Sequence, residues 1–192
     1  MVKKRGTKKT LMARRTPPKL DEVKLRELAL AYVGRFATSR AKLRAYLNRK
    51  LRERGWSGDA APDPEGIAES FAVQGYVDDS AYALMKSRAL SGRGYGKRRV
   101  AQALRAAGIG EGDSGAANDL ADQEAVSAAL RFAERRRIGP FAVRSNDDPR
   151  EREKAIAAMI RAGHSFALAR TIAAMDPGVS IDPEDLARLQ DY

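Results

Sequence analysis

Residues Phe71 to Ile109, FAVQGYVDDSAYALMKSRALSGRGYGKRRVAQALRAAGI, contain two helix patterns, a glycine-rich basic hinge and a glycine stop. The spacing predicts a helix opening at Asp78 or Asp79, whose side chain accepts a free N–H of the first turn, with an inward stripe of Ala81, Leu84, Met85 and Ala89. Ser91-Gly92-Arg93-Gly94-Tyr95-Gly96 breaks it, because glycines on alternate positions remove the steric limits that keep a helix going. A second helix starts near Lys97, buries Val100, Ala103, Leu104 and Ala107, and stops at Gly108.

Between Lys86 and Arg105 stand Lys86, Arg88, Arg93, Lys97, Arg98, Arg99 and Arg105, with no acid among them. Three of these open a helix, where backbone N–H groups already carry partial positive charge, so the sequence predicts an anion site at that end. Phosphate or an acidic protein surface suits it, Tyr95 offers a ring on which a base can stack, and a solvated face without a partner is the plain alternative. Two sharper motifs fail. Gly96-Lys97 is followed by Arg98 where a phosphate loop needs Ser or Thr, and a helix rather than a strand precedes the glycines, as a dinucleotide fingerprint does not allow.

Composition narrows the class. The chain has 192 residues, a net charge of +11, and no cysteine, which excludes disulfides and thiolate metal sites and suits a reducing compartment. Residues 1–20 hold eight Lys and Arg and no acid, leaving 11 − 8 = +3 for the rest, and read as a disordered basic arm. A weaker reading of the arm is a mitochondrial transit peptide. No run approaches the length of a membrane span. Few aromatics, with Ala and Leu as the main apolar residues, favour an all-α fold.

Outward from the hinge, the same plan recurs. A first helix from Asp21 is expected to bury Leu25, Leu28, Ala29, Tyr32, Val33 and Phe36; a second, capped by Ser39, buries Leu43, Leu47 and Leu51 and ends at Gly55; a third, from Asp63-Pro64-Glu65, buries Ile67 and Phe71. Leu43 and Leu47 are matched by Val100 and Leu104, at the same offset as Ser39 to Gly96, and again by Ile156 and Ile160 after Asp148-Pro149-Arg150-Glu151. This is one helical unit used three times. The first copy carries about one extra turn before its glycine, and a basic face of Arg40, Lys42, Arg44, Arg49, Lys50, Arg52 and Arg54.

The acidic stretch after Ile109 leaves room for only a short helix. A long one follows from Asp122 to Arg137 with Ala125, Val126, Ala129, Leu130 and Ala133 inward; the last has Phe166, Ala169, Ile172 and Ala173 inward; and the tail beyond Asp176 forms at most a turn or two. The division is a basic arm over 1–20, three-helix repeats over 21–77, 78–120 and 121–175, and an acidic tail over 176–192. No catalytic residue is expected. His164, the only histidine, reads as a helix-terminus residue, Asp78-Asp79 as a cap without further metal ligands, and Trp56 as a cover on the core.

Ser39-Arg40-Ala41-Lys42-Leu43-Arg44, Gly75-Tyr76-Val77-Asp78-Asp79, Ser87-Arg88, Gly94-Tyr95-Gly96 and Arg98-Arg99-Val100 through Leu104 to Ile109 together resemble the bacterial RecX family of regulatory proteins. The resemblance spans roughly Leu25 to Met175 and is strongest in the first two repeats. It implies three tandem three-helix repeats in an elongated curved array, no catalysis, no cofactor, and binding to the RecA recombinase, chiefly as a filament on single-stranded DNA. RecA's strand exchange, ATPase and co-protease activities would be restrained, in control of recombination and the SOS response. Arg40, Arg44, Arg88, Arg93, Tyr95, Lys97, Arg98 and Arg99 are the candidate contacts to RecA or to single- or double-stranded DNA, in a cytoplasmic monomer. A general helical nucleic-acid binder without a RecA-specific role is the alternative.

Overall fold

The computed structural model describes residues 18–144 and 148–188. Among them are ten α-helices and no strand: α1 Glu22–Val33, α2 Arg40–Arg54, α3 Pro64–Val73, α4 Asp79–Gly92, α5 Lys97–Ala106, α6 Glu111–Gln123, α7 Ala125–Arg136, α8 Pro149–Arg161, α9 Phe166–Ala174 and α10 Pro183–Arg188. The chain is all-α. Starts fall where side-chain acceptors stand: Asp21, Ser39, Asp63, Asp78, Asp148 and Ser165 each accept from a first-turn N–H. At 15 residues α2 outruns the 10 of α5, which is the extra turn expected from the sequence.

Buried residues form three clusters. Leu20, Leu25, Ala29, Leu43, Leu47, Ile67, Ala68, Phe71 and Val77 close the space among α1, α2 and α3. Tyr82, Ala83, Val100, Leu104, Ala107, Ile109, Ala117 and Ala121 do so for α4, α5 and α6. Phe132, Met159, Leu168, Ile172 and Leu186 lie at the heart of the third, among α7, α8, α9 and α10.

Several faces differ from those expected. In α4, Ala81, Met85 and Ala89 are exposed and Leu84 half-buried; the inward residues are Asp79, Tyr82, Ala83, Ser87 and Ser91. The reason is α6, a full helix of 13 residues rather than a short one, which covers α4 so closely that small side chains are required between them. Ser87 Oγ donates to the Ala117 carbonyl at 2.7 Å across that seam. The second cluster is therefore covered by a full helix where the sequence leaves room for only a short one, and position 120, the expected end of the second repeat, falls inside α6.

In α8 the deepest residue is Met159, with Ile156 and Ile160 half-buried beside it. Phe166 points outward, and Leu168 takes the inward place beside Ala169 and Ile172. Phe36, expected inside, lies beyond the end of α1 and is 57 % exposed. Of the basic arm, 1–17 lie outside the described residues. Pro18 to Leu20 are docked: Leu20 is fully buried, its N–H donates to Gly55 and its carbonyl accepts from Ser57. Within the tail, α10 seats Leu186 in the third cluster, while 189–192 lie outside the described residues.

Candidate partner and nucleic-acid interface

The hinge between α4 and α5 is where the candidate residues gather and then part. Gly94, with φ 78°, turns the chain so that Tyr95 packs against the third cluster while Arg93 lies over the Tyr95 ring, 5.7 Å from its centroid. Arg135, near the end of α7, donates from Nη1 to the Arg93 carbonyl at 2.6 Å. Both Arg135 and Arg136 stand over the Phe132 ring, at 5.6 and 5.8 Å. With Arg161 of α8 these residues line an open cleft of about 710 Å³ carrying four guanidinium groups and no carboxylate. Planar cations held against aromatic rings keep their N–H donors aimed outward, an arrangement suited to carboxylate or phosphate.

Other candidates are placed elsewhere. Lys97 and Arg98 line a separate cleft of about 930 Å³ with Asp122 and Glu184, and Lys97 is paired with Asp122 at 2.7 Å. Arg99 donates to Gln102 at 2.7 Å, and Arg88 is exposed on α4. At the opening of α5, where the sequence suggests a backbone anion site, two of the donors are used by the end of α8. Gly96 N–H bonds the Ala162 carbonyl at 2.9 Å, and Arg98 N–H the Gly163 carbonyl at 3.2 Å.

Arg40 has a different occupation. Its Nε meets Asp79 Oδ2 at 3.0 Å, Nη2 meets Asp113 at 3.1 Å and Nη1 meets Glu69 at 3.3 Å, tying α2 to α4, α6 and α3. Asp79 also accepts from the Arg40 backbone N–H at 2.8 Å, so it completes the cap of α2 from a neighbouring helix. The hydrogen bond and charge of Asp79 raise the Arg40 pKa further above its ordinary value. Arg44 is ion-paired with Glu65.

Of the eight candidates, the structure joins Arg93 and Tyr95 to Arg135, Arg136 and Arg161, which sequence reasoning passed over. The signal in the sequence is Arg135-Arg136-Arg137 at the end of an apolar stripe, whose helical spacing masks it. His164, at the end of α8, is 2 % exposed and its Nε2 lies 3.1 Å from the Gly94 carbonyl, so it braces the hinge from behind. Burial lowers its pKa, opposed by that bond. No helix among the described residues is long and apolar enough to cross a membrane, and they contain no cluster of three His, Cys, Asp or Glu suited to a metal.

Fold and surface define an all-α protein that presents a carboxylate-free arginine cleft built on aromatic rings. Residues 78–117 match the second three-helix domain of RecX. The regulatory protein RecX of Myxococcus xanthus is 28 % identical over 185 residues, 91 % of this chain and 94 % of that one. The RecX of Agrobacterium fabrum is 32 % identical over 139 residues, covering 70 % and 73 %. The crystal structure of RecX from Lactobacillus salivarius superposes with a TM-score of 0.55 at 20 % identity, over 78 % of this chain and 92 % of that one, a likeness of fold. The chain belongs to the RecX family of regulatory proteins.

Proposed function

We propose that this protein binds the RecA recombinase, chiefly as a filament on single-stranded DNA, and restrains its strand exchange, ATPase and co-protease activities by occupancy, without catalysis or cofactor. The observation that carries this reading is the cleft of Arg93, Arg135, Arg136 and Arg161 over Tyr95 and Phe132, in a chain of the RecX family. Four cations without a carboxylate beside them favour an acidic protein face or phosphate, and binding one filament state better than another is all that inhibition requires. Arg88, Lys97, Arg98 and Arg99 add basic groups on other faces near the hinge, with Lys97 paired to Asp122, whereas Arg40 and Arg44 hold the helices together. The three clusters support three helical repeats close to 21–77, 78–120 and 121–175, the first drawing in Leu20, the second running to Gln123 where α6 ends, and the third reaching Leu186 of α10. The protein acts as a cytoplasmic monomer.

The test is RecA's DNA-dependent ATP hydrolysis with this protein far below the recombinase concentration, in salt that abolishes its binding to bare DNA. Loss of hydrolysis is expected, and Arg135→Glu with Arg136→Glu should relieve it while helical circular dichroism stays intact. Hydrolysis unaffected by the wild type, with DNA binding restored at low salt, would favour the general nucleic-acid binder that the net charge of +11 also fits.

A further inference from the structure

A third cleft lies towards the start of the described chain, between α1 and α2. Tyr32 and Tyr46 stack there with ring centroids 4.2 Å apart and planes 18° apart, and Phe36 leans on Tyr32 at 5.3 Å. Arg49 lies over Tyr46 at 5.5 Å and Lys50 at 5.8 Å. These rings, with Leu28, Arg35 and Arg49, line a space of about 470 Å³ that no carboxylate enters. Glu53 on the next turn is shared by Arg49 at 3.6 Å and Lys50 at 2.6 Å, so two cations face one acid. Phe36 leaves 57 % of its surface in solvent at the cleft's edge.

Phe36 is an exposed ring set beside two half-buried tyrosines, and the cleft has room for an occupant. A second copy of this chain does not suit the cleft, since a two-fold contact centred on it would set Arg35 and Arg49 against their own equivalents. Flat rings bordered by guanidinium groups offer π-faces for stacking and charges for a backbone, the combination by which single strands are held without sequence preference. We propose that this cleft takes an unpaired base of a single-stranded nucleic acid, stacked on Phe36, with the flanking phosphates on Arg35 and Arg49. The site is separate from the arginine cleft, and its action needs no recombinase.

The measurement is fluorescence anisotropy of two labelled oligomers of equal length and charge, one of thymidines and one abasic, with the full chain at low salt. The wild type should hold the thymidine strand at least about fivefold more tightly, the lower end of what stacking one base contributes. Phe36→Ala should remove that preference and leave abasic binding unchanged, and Phe36→Trp should retain it; the ring is exposed, so folding, read by thermal melting, should be intact in both. Equal wild-type affinity for the two strands, or a preference that survives Phe36→Ala, overturns the proposal. So does a Phe36→Ala protein that binds both strands normally but loses inhibition of the recombinase, which would assign the cleft to protein. Because the assay contains no recombinase, its failure leaves the filament reading standing, and the ATPase test can fail without touching this cleft.

Discussion

The junction between the first and second clusters and the junction between the second and third use the same pair of elements, yet different forces hold them. In both, the start of one middle helix meets the glycine end of the next: Ser39 and Arg40 of α2 against Ala107 and Gly108 beyond α5, then Gly96 and Arg98 of α5 against Ala162 and Gly163 beyond α8. At the first, side chains do the joining. Ser39 Oγ donates to the Ala107 carbonyl at 2.6 Å, and Arg40 reaches Asp79 of α4 and Asp113 of α6 across it. At the second, where glycine replaces serine, backbone meets backbone at 2.9 and 3.2 Å, and His164 adds a bond to the Gly94 carbonyl. One repeat geometry thus supports an electrostatic clip and a close-packed backbone seam, and the two should fail under different insults.

The largest effect is expected at the seam. Gly163 has φ 98°, and a Cβ there would stand 2.5 Å from the Arg99 nitrogen; its partner Gly96 could not take one either, with the Gly163 carbonyl oxygen 2.4 Å away. Gly163→Ala should therefore cost about 3 kcal/mol through backbone strain and overpacking. Gly92→Ala, at a helix end with open space around it, should cost nothing measurable. Urea unfolding of both checks this, and equal midpoints would mean that the seam is loose.

A smaller loss should come from the clip. Asp79 is 5 % exposed and serves both the Arg40 guanidinium and the Arg40 N–H. Asp79→Ala should cost about 2 kcal/mol, the scale of hydrogen bonds to a charged group. Because Arg40 is 41 % exposed, part of that cost should vanish at about 1 M salt, where screening acts over a few ångströms. The Gly163→Ala cost should not change with salt; if both variants respond alike, the contrast between the junctions is wrong.

Much of this was legible in the sequence. Side-chain caps, first-turn prolines and stop glycines fixed where helices begin and end, because those signals are local and chemical. Leu43, Leu47, Val100 and Leu104 lie where their spacing placed them. What failed depended on neighbours. Besides Tyr82, the inward face of α4 is Asp79, Ala83, Ser87 and Ser91, four residues apart, and a search for large apolar side chains cannot find a seam built from small and polar ones. The ion pairs of Arg40 and Arg44 were equally hidden, because Asp79, Asp113, Glu69 and Glu65 are distant in sequence. Phe36 keeps the spacing of a core residue but falls past the helix end, where it leans on Tyr32 and stays 57 % exposed.

The finest contrast is in pH. His164 is buried behind the seam, its Nε2–H directed at the Gly94 carbonyl in the neutral ring and its Nδ1 without a partner among the described residues. Burial holds its pKa below the ordinary 6.5, so the folded chain keeps the ring neutral where the unfolded chain takes up a proton. The unfolded state then binds more protons, so this contribution is complete above about pH 6.5 and declines as pH falls below it, by at most about 1.4 kcal/mol per pH unit for one proton. His164→Gln keeps an N–H donor for Gly94 but cannot titrate. Thermal melts of both proteins from about pH 7.5 to pH 5.5 share every other titrating group, so the difference between their slopes isolates the histidine. A steeper fall in the wild type is expected, and parallel slopes would show that protonated His164 finds water or an acceptor in the folded state, leaving the seam as insensitive to pH as it is to salt.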